Sequence, residues 1–177
     1  MPKLIEKFRE LNRDSSMNKL TSEYFQLLVD IQELKKRGNF KKMLKYCQKS
    51  LQFIEPLVVD TKRQYGEFDI QSVPAIETGA TFWAASGDED RLLDIKEIVD
   101  YFPELNPWRQ TVKEAFADKD LAFKIYEHVK NNKGFEQKRL KDVFKEDSES
   151  ISSVCYNMAL VGRLKREKKG NTYLLSV

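Results

Sequence analysis

A chain of 177 residues is long enough for one large domain or two small ones, each with its own core. Its 41% apolar and 33% charged residues suit a helix-rich globular protein, and 7 glycines with 5 prolines are too few for a turn-dense sandwich or barrel. The net charge of +3 is uneven: residues 1–118 hold 18 Lys/Arg against 20 Asp/Glu, and residues 119–177 hold 13 against 8.

No apolar run reaches the roughly 18 residues of a membrane span, and the start MPKLIEKFRE lacks the apolar segment of a secretory signal. Cys47 and Cys155 fall on apolar helix faces, so both are expected reduced and buried, in a protein of the cytoplasm, or of the nucleus in a eukaryote. The composition shift places a domain boundary near Ala117–Asp120, dividing the chain into residues 1–118 and 119–177.

In chain order, Tyr24, Leu27, Leu28, Ile31 and Leu34 keep a 3.6-residue period and predict a helix capped by Thr21 or Ser22. Lys35-Lys36-Arg37 and Gly38 end it, the cations suiting the helix dipole. A second helix starts near Phe40, aligns Met43, Leu44, Cys47, Leu51 and Ile54, and stops at Pro56. A comparable unit follows: Phe82-Trp83-Ala84, a turn at Gly87, then Leu92, Leu93, Ile95, Ile98 and Val99 before Pro103. Gly38 to Gly87 is 49 residues and Pro56 to Pro103 is 47, a spacing that suggests stacked helical hairpins.

The first unit resembles a tetratricopeptide repeat (TPR). Gly38-x-Phe40 stands at that family's turn, Ser50-Leu51 at its Ala-Leu pair, and Pro56 one residue past its usual proline. Met43 departs from it by replacing a small residue, and the spacing exceeds the family's period of about 34. The resemblance implies TPR-like helical hairpins that bind a protein partner or a second copy.

Two charged clusters invite functional readings. KKRGNFKKMLK offers six cations to a phosphate or an acidic peptide, but two solvated helix ends account for it. Asp88-Glu89-Asp90 is read as the opening of a helix with Asp88 as cap, rather than as paired catalytic or metal-binding carboxylates. Phe82-Trp83, Tyr101-Phe102 and Trp108 are expected in the core or stacked between hairpins.

The last third changes character. DLAFKIYEHVKNN is an amphipathic helix capped by Asp118 or Asp120, with Ala122, Ile125 and Val129 inward. EQKRLKDVF is a short helix, KEDSES a polar turn, and SISSVCYNMALVG a third helix burying Ile151, Cys155 and Met158. A hairpin closes the chain, with Leu164–Glu167 pairing Thr172–Leu175 across Gly170-Asn171. No strand is expected within residues 20–115.

These residues resemble a winged helix-turn-helix domain over Lys119–Val177. Ile151, Cys155, Met158, Gly162 and Leu164 match the apolar residues of its recognition helix and the start of its wing, and Tyr173 with Leu175 the returning strand. The fold expected is therefore mainly α, TPR-like hairpins followed by a winged helix with a two-stranded wing. The resemblance implies binding to double-stranded DNA. Arg163, Lys165, Arg166, Lys168 and Lys169 of the wing would meet phosphates, and Ser152, Ser153, Tyr156 and Asn157 would face a groove.

The third helix nevertheless carries no Arg or Lys, and Glu146, Asp147 and Glu149 surround its start. Two readings result. One is a DNA-binding transcriptional regulator. The other is a protein-interaction scaffold resembling PCI-type domains, in which a terminal winged helix binds protein. No cofactor, metal site or enzymatic motif is expected, and His128 is read as a surface or boundary residue.

Overall fold

Leu20, Tyr24, Leu27 and Ile31 recur at intervals of three and four residues. In the computed structural model, which describes residues 3–13, 16–66 and 72–177, all four are buried along α2 (Met17–Lys36). Leu20, one turn before Tyr24, carries the apolar stripe back past the cap expected at Thr21 or Ser22, and α2 opens after Ser16 instead. Ahead of it lies α1 (Lys3–Asn12), where Arg9 pairs with Glu55.

A turn closed by Asn39 N–H to Leu34 O, 2.9 Å, leads into α3 (Phe40–Ser50), whose N-terminus the Asn39 side chain caps by accepting from Lys42 N–H. The apolar face from Met43 to Ile54 is not one helix. It breaks at a 3-10 turn, Leu51–Phe53, and α4 (Ile54–Tyr65) follows. Pro56 sits in the first turn of α4, where its missing N–H costs nothing, so it opens a helix rather than stopping one.

Beyond residue 72 a π-helical turn, Ala75–Gly79, runs into α5 (Ala80–Ser86). Next come α6 (Glu89–Tyr101), ending before Pro103 as expected, and a 3-10 segment, Pro103–Trp108. Glu77 ties this region together by accepting from Trp108 Nε1–H at 3.0 Å and Ser72 Oγ at 2.7 Å. Phe82, Trp83 and Phe102 are buried, whereas Tyr101 is exposed.

The chain divides into two units, residues 1–80 with 90–112 and residues 81–89 with 113–177. The division runs through the second predicted hairpin, giving most of α5 to one unit and nearly all of α6 to the other. It also differs from the boundary at 118/119. There α7 (Arg109–Asn131) is uninterrupted, because Val112, Ala115, Ala122, Ile125 and Val129 keep helical spacing straight through the change in charge.

The second unit continues with β1 (Phe135–Glu136), a 3-10 turn, Gln137–Arg139, and α8 (Leu140–Phe144). After them come α9 (Ser148–Leu160), β2 (Lys165–Lys169) and β3 (Thr172–Ser176). The sheet is antiparallel and three-stranded, ordered β1-β3-β2, not the two-stranded wing expected. Phe135 pairs with Leu175 and Glu136 with Leu174, a strand too short to register in the sequence pattern. The hairpin turns at Gly170, whose φ of +56° followed by an ordinary φ at Asn171 fits a II′ turn.

Its core joins Leu121, Ile125, Leu140, Ile151, Cys155, Met158, Leu164 and Leu175. His128 lies at this core's margin, edge-on to Phe135 at 4.5 Å and Phe144 at 5.6 Å. The molecule is thus mainly helical with one small C-terminal sheet, and no strand occurs among the described residues of 20–115. No helix among them is long and apolar enough to cross a membrane.

Candidate nucleic-acid interface

α9 starts where Asp147 caps it. The carboxylate accepts from the backbone N–H groups of Glu149 and Ser150, at 2.9 and 2.8 Å, and from the Ser150 hydroxyl at 2.6 Å. These bonds, the hydroxyl's first, hold Asp147 below the usual carboxylate range. Ile151, Val154, Cys155 and Met158 then face the core. Ser153 and Tyr156 are left exposed, and Ser152 and Asn157 are half-buried. Of the four residues expected to face a groove, two are freely presented.

The wing cations do not form one patch. Strand neighbours point to opposite faces, and directly paired residues share a face. Arg166 pairs with Leu175 and Lys168 with Tyr173, which places those two on the face toward the core and α9. Lys165, Glu167 and Lys169 alternate to the other face. Lys165, Lys168 and Lys169 are exposed.

Neither wing arginine is extended toward solvent. Arg166 donates from Nε to Gln137 Oε1 at 3.0 Å, with its guanidinium 4.0 Å from the Tyr173 ring centre and 5.6 Å from that of Tyr156. It is sandwiched between Tyr173 of the hairpin and Tyr156 of α9, which links the wing to that helix. Arg163 folds onto the C-terminus of α5, donating to Ala85 O at 3.2 Å and lying 5.0 Å from the Tyr126 ring centre. Partial burial pushes its pKa below the ordinary guanidinium value.

Lys138 and Lys141, one turn apart in QKRLK, border a cavity of about 270 Å³ with Ser148, Ser152, Asn171 and Tyr173. The cavity lies between the start of α9 and the hairpin turn. The signal for these lysines was their three-residue spacing next to α9, lost among the many charged residues nearby. Thr172 braces the turn, its Oγ1 accepting from Lys138 N–H at 3.2 Å.

Both thiols are unsuited to chemistry. Burial pushes Cys47 and Cys155 each up to about 12. The site is therefore a surface of hydroxyls, one exposed aromatic ring and separated cations, able to bind a polyanion or a protein. The chain matches no protein-family model, no curated protein and no solved structure.

Proposed function

We propose that the protein binds double-stranded DNA through a C-terminal winged helix-turn-helix and acts as a transcriptional regulator. The observation that carries this reading is topological. Helix, short strand, two helices and a hairpin follow one another, and the first strand pairs with the last in the order β1-β3-β2. That arrangement leaves one face of α9 uncovered and presents Lys165 and Lys169 on the adjoining hairpin, as a groove-binding helix with a phosphate-binding wing requires. The helical unit, with the TPR-like residues Gly38 and Phe40 at its α2–α3 turn, serves a protein partner or self-association. The test is a titration of the full chain on random duplex DNA at low salt. Saturable binding supports the reading, and its absence removes it.

A second reading has its own observation. Glu146 and Glu149 are exposed at the start of α9, and Tyr156, 53% exposed, is the largest side chain on its free face. Such a face suits a protein, as in scaffolds of PCI-like architecture. Capture of a protein partner lost with Tyr156→Ala, without any DNA binding, would favour it.

A further inference from the structure

The charges around α9 and around the sheet are arranged differently. At the start of α9 and its side of the wing, Lys141, Lys145, Arg166 and Lys168 are opposed by Glu146, Asp147 and Glu149, an excess of one cation. On the far face of the sheet, Lys133, Lys138, Arg139, Lys165 and Lys169 are opposed only by Glu136 and Glu167. A phosphate chain sees an excess of one cation on the α9 side and of three on the far face.

The far face is also shaped. Lys133, Arg139 and Lys169 border a cavity of about 520 Å³ that Glu136 and Leu174 of the far face also line. Arg139 lies over the Phe135 ring at 5.5 Å, and Gly134 N–H donates to Leu175 O at 3.1 Å, which fixes the turn carrying Lys133 to the sheet. The Glu136 carboxylate gathers two of the cations, Lys138 Nζ at 3.4 Å and Lys169 Nζ at 3.7 Å. Cations held by a rigid sheet and a short turn lose less side-chain freedom on binding than lysines on a free tail would.

We infer that the DNA backbone is held by this far face of the sheet, through Lys133, Arg139, Lys165 and Lys169, rather than by the α9 side. Glu136 is a positioning residue that competes with phosphate for Lys138 and Lys169. The inference rests on the proposed DNA binding and names the surface that performs it. It separates affinity from any reading by α9, because phosphate contacts carry no base information.

The experiment measures anisotropy of a labelled random-sequence duplex with the full chain at about 50 and about 200 mM salt. Two matched pairs are compared, Lys133→Gln with Lys169→Gln and Lys141→Gln with Lys168→Gln, each checked for folding by circular dichroism and thermal melting. The first pair is expected to weaken binding about tenfold at the lower salt and to reduce the salt slope by about 0.9 per lost contact. The second pair is expected to change affinity less than about twofold, and Glu136→Gln to tighten it, by freeing two cations. Equal or greater loss in the second pair, or weakening by Glu136→Gln, overturns the inference while leaving DNA binding intact. A wild-type chain that binds no duplex at the lower salt overturns both.

Discussion

Arg163 reaches back 78 positions to donate a hydrogen bond from Nη1 to the carbonyl oxygen of Ala85, at 3.2 Å. That carbonyl belongs to the last turn of α5, where the Gly87 turn satisfies only Trp83 and Ala84, through Asp88 N–H at 2.9 Å and Gly87 N–H at 3.1 Å. Gly87 has φ +78°, and a Cβ built there would lie 2.6 Å from Arg163 Nη1. The residue before the wing therefore closes the end of a helix far upstream. The side chain that looks most available for phosphate is engaged.

Gly87→Ala is expected to cost about 1–2 kcal/mol through its left-handed backbone, and Arg163→Ala about 1–2 kcal/mol by leaving the Ala85 carbonyl unpaired. The double variant should lose less than the sum, since the new methyl displaces the guanidinium anyway. Urea unfolding of the four proteins measures the cycle. Strict additivity would mean that the new methyl leaves the Arg163 hydrogen bond in place.

Arg166 makes a different prediction. Because its guanidinium is held by Gln137, Tyr173 and Tyr156, Arg166→Gln should lower the melting temperature yet leave the salt slope of DNA binding unchanged. A slope reduced by about 0.9 would show instead that Arg166 swings out to a phosphate.

The Asp147 cap gives a pH dependence. Its folded pKa is lowered, so its contribution is full above the unfolded value of about 3.9 and fades as pH falls through that value toward the depressed one. Asp147→Asn should lower stability at neutral pH, and the gap from wild type should close in acid. A gap that stays constant down to about pH 2 would rule out the ionised carboxylate as its source.

Cys47 and Cys155, both buried and free, should not react with a disulfide reagent at about pH 8 in the native protein. After unfolding in urea both should react. Rapid native labelling of either would place that thiol at the surface.

How far these features could be read from the chain depended on whether a local rule governed them. Strong periodicity marked α2, α9 and the stop before Pro103, and the Gly170-Asn171 pair marked the hairpin. Leu20 does not mark the start of α2 because the Thr-Ser pair one residue later resembles a cap, and Pro56 is ambiguous because a proline opening a helix and one ending it look alike in sequence. β1 has two residues and no pattern of its own; only β3 makes it a strand. The expected boundary followed charge, whereas the division at 112/113 falls six residues earlier within the same continuous helix, whose apolar spacing runs through both points. In the wing, five cations in eight residues read as one patch. Strand alternation and long-range partners divide them, and neither the upstream carbonyl of Ala85 nor the Gln137 side chain is visible from residues 163–170.

The most direct measurement is the salt dependence of the full chain's affinity for random duplex DNA. Four cations on the far face of the sheet predict that log K falls with log salt at a slope of about −3 to −4. Absence of binding at about 50 mM salt, or an affinity indifferent to salt, would contradict the account.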